Sequence, residues 1–228
     1  MWNYNHWTGT TGRKRSTTPP ENKFLLYFWV WRENFWSMLT LNLIVILFSL
    51  PVITIFPALA AMNRILYNMI EDKPLLLFME FKSIFKKEFK PAVIAGIPIV
   101  ILGAVLILLG GFFGETIITP AVSLACFIGL GILYMIAAHV LGMIPYLELS
   151  VAQCYKNAFL LLILCLGRNI VSVLVLALLA MLFVLGHPLT TPVLFFFAVP
   201  IFGYFTAFQT HISIKKYLVQ PVDIENAD

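Results

Sequence analysis

The stretch LNLIVILFSLPVITIFPALAAMNRI (Leu41–Ile65) decides how this chain folds. It is almost entirely apolar, yet it contains two prolines, Pro51 and Pro57. Proline lacks a backbone donor and disrupts a helix interior, so one straight helix does not fit the segment. Two alternatives are open: a single kinked span, or two helices joined by a turn inside or near a membrane.

The composition of the chain indicates a membrane protein. Of its 228 residues, 61% are hydrophobic and only 11% are charged, whereas soluble domains carry about 25% charged residues. The mean hydropathy is +0.92, and charge-free runs such as Pro91–Gly114 match the length of a membrane span. We therefore predict an all-α, polytopic membrane protein. It should have about six transmembrane or part-spanning helices and two cytoplasmic amphipathic helices at the interface.

The distribution of Lys and Arg predicts the topology. Basic residues cluster before Phe35, in Arg64–Lys90, in Lys156–Arg168 and near the C-terminus. Such residues are retained on the cytoplasmic side, so we expect a multi-pass protein of the cell (plasma) membrane with both termini cytoplasmic. An even number of crossings should then separate the first two clusters, which favours the two-helix alternative.

In that alternative, helix 1 runs out to Leu50 and a second helix, Pro57–Ile70, returns. The turn between them, PVITIFP, is expected to be extended and covered by protein, because unpaired backbone groups cannot face lipid. The second helix would be only about 21 Å long against a hydrocarbon core of about 30 Å. Whether it spans the membrane, giving six crossings instead of five, is left open.

The remaining pattern predicts a single membrane domain. Residues 1–22 are interpreted as a flexible cytoplasmic tail, 23–218 as one helical domain and 219–228 as a C-terminal tail. Glu115 and His187 are placed in external turns. Further spans are predicted at Ala92–Phe113, Ala121–Ile144, Ile170–Leu185 and Val193–Thr210.

Two segments have the periodicity of helices lying at a membrane surface. In Leu75–Lys90, aromatic and aliphatic residues recur at helical spacing, and basic residues line another face. We predict that this face contacts anionic lipid at the cytoplasmic surface through Lys82, Lys86, Lys87 and Lys90. Ser150–Phe159 places Gln153, Lys156 and Asn157 on one face in the same way.

Polar residues at membrane depth are candidates for function. They are Asn42, Thr54, Asn63, Arg64 and His139. We interpret Asn42 as structural, with its amide bonding a neighbouring helix. Arg64 is expected to reach the cytoplasmic interface or to pair with Glu71 or Asp72. His139 has no carboxylate or second histidine at ligand spacing, so it is interpreted as a hydrogen-bonded core histidine.

The sequence contains no pattern typical of an enzyme. It lacks the GxxxxGK[ST], HExxH, GxSxG and CxxC motifs, and its three cysteines lie in apolar stretches. We therefore expect no catalytic residues, no metal and no cofactor. No basic domain stands apart from the membrane segments, so nucleic acid is not an expected partner.

Two segments resemble a known family. FWSMLTLNLIVILFSLPVITIFPALAAMNRILYNMIEDKP, followed by FKSIFKKEFK, resembles the YesL-like family of bacterial integral membrane proteins, a domain-of-unknown-function family. The later IPYLELSVAQCYKNAFLLLILCLGRN resembles that family's second cytoplasmic segment. At Phe56 the family often has glycine. The resemblance implies a role in carbohydrate utilisation, because such proteins tend to accompany sugar importers, and it supplies no catalytic residues.

We therefore expect an accessory or regulatory membrane protein linked to carbohydrate uptake, with a carbohydrate importer as its partner. The alternative is a small transporter or channel whose path runs past Asn42, Thr54 and His139. The charge-based topology also implies different tasks for the two prolines, with Pro51 ending helix 1 and Pro57 opening helix 2.

Overall fold

The structure, a computed structural model, describes Pro20 and residues 22–112, 119–188 and 190–219. Every regular element in these ranges is helical, which confirms the predicted all-α class. The predicted tails lie almost wholly outside the described residues, as does Glu115. The α-helices are α1 Lys23–Phe48, α2 Ile55–Ile70, α3 Leu77–Lys87, α4 Phe89–Phe112, α5 Thr119–Met143, α6 Val151–Leu164, α7 Leu166–Leu185, α8 Thr190–Ala198 and α9 Tyr204–Ile214.

The proline-containing stretch forms two helices joined by a tight turn. Helix α1 ends at Phe48, and Pro51 precedes a 3-10 turn, Val52–Thr54, which leads directly into α2. The Thr54 hydroxyl lies 2.6 Å from the carbonyl oxygens of Phe48 and Pro51, and so ties the turn to the end of α1. Pro57 lies in the first turn of α2, where a missing N–H costs little.

The prediction that this turn is extended and covered by protein is wrong. Val52–Thr54 is helical, and Val52 and Ile53 are 79% and 62% exposed. A short helical turn satisfies much of its own backbone hydrogen bonding, so its apolar side chains can face outwards without a protein cover.

Helix α2 forms the centre of the fold. Eleven of its residues are buried, and the core groups Ala58, Ala61, Ile65 and Leu66 with residues of α1, α5 and α9. The small alanine side chains allow neighbouring helices to approach closely, a feature of helix packing in membranes. At the start of α2 the Phe56 ring occupies the space that a Cβ on Gly96 of α4 would need. Glycine at position 96 therefore allows α4 to lie against Phe56.

Helix α3 packs antiparallel to α2. Near its start, Glu80 accepts a hydrogen bond from Asn68 at 3.1 Å. Further along, the rings of Phe81 and Phe85 lie 5.2 and 5.0 Å from Phe48 at the end of α1. Phe81 is therefore fully buried and Phe85 is half-buried, whereas Phe78 at the start of α3 is exposed.

The predicted amphipathic segment Leu75–Lys90 is thus shorter than expected. Helix α3 ends at Lys87, and Glu88 separates it from α4. Lys90 lies in the first turn of α4, not on α3. The other predicted amphipathic segment, Ser150–Phe159, is extended to α6, Val151–Leu164, with a Ser150–Gln153 capping box at its start.

Helices α4 and α5 form an antiparallel hairpin. Gly103 of α4 faces Leu133 of α5, and Gly129 of α5 faces Leu106 of α4. A Cβ added at Gly129 would lie only 3.2 Å from the Leu106 side chain. Helix α7 follows α6 after a single break at Cys165. The three cysteines are buried and unbonded.

The C-terminal helices form one apolar run, Thr190–Val219. A π-helical turn, Val199–Gly203, lies between α8 and α9, and a second, Lys215–Val219, follows α9. Pro200 lies within the first of these turns and has no N–H to donate, so the regular ladder is interrupted there.

Five helical segments within the described residues are long and apolar enough to cross a membrane: Val52–Ile70, Phe89–Gly110, Ala121–Met143, Leu166–Leu185 and Thr190–Val219. These segments support a polytopic membrane protein. Helix α1 is not among them, although its 26 residues would extend about 39 Å. It contains Arg32, Glu33 and Asn34 in its first half, which lower its hydropathy.

Candidate functional site

The C-terminal ends of α2, α5 and α9 meet in a polar cluster that we call the Glu71 network (Glu71, Lys73, Tyr146 and His211). Glu71 directly follows α2, Tyr146 follows α5, and His211 lies in the last turn of α9. The Tyr146 hydroxyl donates to Glu71 Oε1 at 2.5 Å, and His211 Nε2 lies 3.0 Å from the same oxygen. Lys73 Nζ forms an ion pair with Glu71 Oε2 at 2.5 Å. One carboxylate thus connects three helices.

The electrostatics of the Glu71 network depend on its donors. The C-terminal end of a helix carries partial negative charge, so three such ends beside a carboxylate would repel it without compensation. Partial burial by itself would raise the pKa of Glu71, but the ion pair with Lys73 and the hydrogen bonds from Tyr146 and His211 outweigh burial and lower it to about 2. Burial and the bond to Glu71 raise the pKa of Tyr146. Glu71 is therefore ionised, and Tyr146 is a neutral donor, at neutral pH.

A second layer of contacts supports the Glu71 network. The Tyr67 hydroxyl hydrogen bonds with the Thr210 hydroxyl at 2.8 Å, which joins α2 to α9 one turn further in. The Tyr67 ring packs against both Tyr146 and His211, with ring centroids 5.3 and 5.0 Å apart. Any Cβ at Gly142 of α5 would lie 2.1 Å from the Tyr67 hydroxyl oxygen. Glycine at position 142 therefore allows α5 to approach Tyr67 of α2.

Arg64 reaches this region through an aromatic contact. Its guanidinium carbon lies 5.0 Å from the centroid of the Tyr146 ring, within the range of a cation–π interaction. Glu71 forms an ion pair with Lys73, whereas the sequence offered Glu71 or Asp72 as a partner of Arg64. Asn63, the neighbouring candidate, is buried within α2.

Asn42 bridges α1 to the interrupted C-terminal run. Its Nδ2 donates to the Phe195 carbonyl at 2.8 Å, and its Oδ1 accepts from the Val199 N–H at 3.1 Å. In a regular α-helix, Val199 N–H would donate to Phe195 C=O. The Asn42 amide therefore takes the place of one backbone hydrogen bond at the π-helical turn, which is a structural role for this buried side chain.

His139 lines a small polar cavity between α5, α7 and α9. Its Nδ1 is 2.8 Å from the Met135 carbonyl, so this nitrogen carries the donor proton. The opposite nitrogen, Nε2, is buried and has no hydrogen-bond partner among the described residues. The cavity has a volume of about 10 Å³ and is also lined by Asn169, Ser172 and Thr206. That volume is comparable with the minimum for one water molecule.

The sequence-predicted candidates do not form one site. Asn42 contacts α8, Thr54 ties the α1–α2 turn, and His139 faces a separate cavity. The lysines of the basic segment are exposed, and Lys87 is 3.8 Å from Glu88. The sequence analysis did not identify the Glu71 network, although it named Glu71 as one of two partners for Arg64. Polar residues directly after the ends of predicted spans were its only sequence signal.

The described side chains also limit the chemistry available. Residues 22–112, 119–188 and 190–219 contain no group of three His, Cys, Asp or Glu side chains placed to hold a metal ion. The Glu71 network contains a stabilised carboxylate and its donors, an arrangement that holds helices together and fixes charge.

Comparison with known proteins identifies one family. Residues 38–108 match a family described as "Protein of unknown function, DUF624". The matched segment covers the second half of α1, the proline turn, α2, α3 and most of α4. Searches of curated proteins and of solved structures found no match. Residues 38–108 of the chain are therefore similar to DUF624, the domain family to which YesL-like proteins belong.

Proposed function

We propose that this protein is an integral-membrane accessory or regulatory component that acts by contacting a partner protein. The observation that supports this proposal is that its polar side chains form hydrogen bonds between helices. Asn42 bonds α8, Tyr67 bonds Thr210, and Arg168 donates to Ser213 at 3.2 Å. These side chains join helices to each other, so they favour a scaffold over a transport path.

The partner is proposed from the family resemblance. YesL-like proteins tend to accompany sugar importers, so we propose a carbohydrate importer in a bacterial cell membrane as the partner. Helix α3 offers the contact surface, because Lys82 and Lys86 are exposed while its aromatic face is anchored on α1. We place this surface and both termini in the cytoplasm from the distribution of basic residues.

Site-specific crosslinking tests this proposal. A photo-reactive residue at Lys86 should yield a defined adduct with an importer subunit in cells grown on the imported sugar. The matched control is Leu108 of α4, which is also exposed but lies on an apolar face. Identical patterns at the two positions, or no importer peptide at Lys86, would rule out this contact.

The same surface is proposed to contact anionic lipid. Lys82, Lys86, Lys87 and Lys90 each contribute about 1 kcal/mol near an anionic membrane surface. Exposed Phe78 and Met79 add apolar contact on α3. Replacing the four lysines by glutamine should weaken the protein's preference for anionic over neutral lipid in nanodiscs, and should remove most of its salt dependence.

The second candidate is a small transporter or channel, and the His139 cavity favours it. This cavity places His139 Nε2, which has no hydrogen-bond partner in the described part of the chain, beside hydroxyl and amide groups in the interior of the bundle. Solute flux into liposomes that contain only this protein, abolished by His139→Leu, would support transport. The accessory proposal predicts that flux equals that of empty liposomes.

A further inference from the structure

A groove of about 680 Å³ lies between α1, α7 and α9. This volume is within the range of about 300–1,000 Å³ that is typical of ligand pockets. Its walls are mainly aromatic and aliphatic, with Tyr27 and Trp31 from α1, Leu179 from α7, and Ile201 and Phe208 from the C-terminal run. Three polar side chains also line it: Lys23, Arg168 and Gln209.

The polar residues lie at one end of this groove. Lys23 is the first residue of α1, Arg168 is in the first turn of α7, and Gln209 is near the end of α9. Of the deeper lining residues, Trp31 and Leu179 are 8 and 11 residues further along their helices, or about 12–17 Å at 1.5 Å per residue, and Ile201 lies in the π-helical turn before α9. The groove is therefore amphipathic along its length, with two cations at its mouth and an apolar interior.

The two cations are available to a ligand. Arg168 donates through one guanidinium nitrogen to the neutral hydroxyl of Ser213. Neither Lys23 nor Arg168 forms an ion pair with a carboxylate within the described residues. A guanidinium has five donors in a planar fork that suits phosphate, and an ammonium adds a point charge.

We propose that the groove binds an anionic phospholipid from the surrounding bilayer. Its phosphate would lie between Lys23 and Arg168, and one acyl chain would pack along Trp31 and Leu179. The rim supports a bilayer source, because Phe24 and Phe28 are 68% and 51% exposed beside the groove. Basic pockets between membrane helices bind anionic headgroups for the same electrostatic reason. This site is separate from the lysines of α3.

Thermal unfolding of the purified full-length protein tests the proposal. The protein is delipidated in neutral detergent and titrated with phosphatidylglycerol or with phosphatidylcholine of identical chains. Phosphatidylglycerol should raise the melting temperature at lower concentration. Arg168→Gln and Lys23→Gln should each weaken its apparent affinity about fivefold, and the double variant about 25-fold.

Two controls separate lipid binding from folding effects. Ser213→Ala removes the bond to Arg168 but keeps both cations, so it should retain the lipid preference. Lys86→Gln/Lys87→Gln removes two charges from α3 and should also retain it. Leu179→Trp fills the apolar interior of the groove and should weaken the binding of both lipids, because the acyl chain loses its place there.

Three outcomes would overturn the proposal. Equal stabilisation by phosphatidylglycerol and phosphatidylcholine would show that Lys23 and Arg168 do not select an anionic headgroup. If sn-glycerol 3-phosphate stabilised the protein as much as phosphatidylglycerol does, the site would bind a soluble anion and not a lipid. Loss of the preference in the α3 variant but not in Arg168→Gln would place the lipid on the basic helix.

Discussion

At the scale of single residues, the polar side chains of this protein act mainly as connectors between helices. Asn42 completes a backbone ladder that belongs to another part of the chain. Glu71 gathers donors from two helix ends and from the following loop. Both residues bond to groups on other helices. A polar residue in an apolar segment indicates a partner, but not which partner.

The bridge made by Asn42 predicts a specific loss of stability. Asn42→Leu should leave Phe195 C=O and Val199 N–H without their present partner and destabilise the protein by about 2 kcal/mol. For a chain of this size, that corresponds to about 4–8 °C in melting temperature. Thr40→Val is the control, since its hydroxyl bonds to Trp36 C=O within α1. Equal melting temperatures for the two variants would contradict the bridge.

The Glu71 network predicts how stability depends on pH. The pKa of Glu71 is lowered from 4.5 to about 2, so its favourable contribution is complete above the unfolded-state value and disappears as pH falls towards 2. Glu71→Gln should therefore lower the melting temperature at pH 7 more than at pH 3.5. Glu33→Gln, which disrupts an ion pair with the exposed Arg32, should show no such change. A pH-independent effect of Glu71→Gln would show that the charge is not what stabilises the network.

At the scale of elements, the α1–α2 turn shows how two prolines with different surroundings can shape one hairpin. Pro51 is exposed and precedes the 3-10 turn, whereas Pro57 is buried inside α2. The Thr54 hydroxyl then holds the end of α1 against this turn. The position of the turn therefore depends on Pro51 and Thr54, and Pro57 is accommodated in a first helical turn.

We expect Pro51→Ala to lower the yield of folded protein in detergent more than Pro57→Ala. Alanine at position 51 would allow α1 to continue and would displace the turn. At position 57, alanine loses some packing, but the N–H that it adds has no acceptor within α2, because position 57 lies in the first helical turn. Thr54→Val should resemble Pro51→Ala, because it removes the hydroxyl bond to Phe48. Size-exclusion profiles would decide, and a more damaging Pro57→Ala would show that packing at position 57 outweighs the turn.

At the scale of the whole molecule, the hairpin tip and the basic helix lie on the same part of the fold. Phe48 at the tip contacts Phe81 and Phe85, and α3 carries exposed lysines beside these rings. If α1 and α2 crossed the membrane completely, α3 would carry its lysines to the far side or into the hydrocarbon, where charges are costly. We therefore expect a re-entrant hairpin that stays close to the membrane surface, so that the exposed Leu50, Val52 and Ile53 at its tip enter the lipid while the neighbouring lysines reach the headgroups.

Cysteine labelling tests this topology. In a background with Cys126, Cys154 and Cys165 replaced by alanine, Val52→Cys should resist an impermeant thiol reagent from either side. His187→Cys and Glu115→Cys should react from outside, and Lys86→Cys only after the cytoplasmic face is opened. External labelling of Val52→Cys would instead establish a complete crossing, with the tip outside.

Composition and periodicity alone were enough to predict an all-helical membrane chain, because continuous apolar runs and Pro51 are local signals. The capping residue Ser150 and the apolar face of α6 are equally local. The antiparallel packing of α3 on α2, the bridge from Asn42 to Val199 and the meeting of Glu71 with His211 join residues 12 to 157 positions apart. Only the tertiary structure decided these contacts, since no local preference specifies which distant helix satisfies a buried polar group.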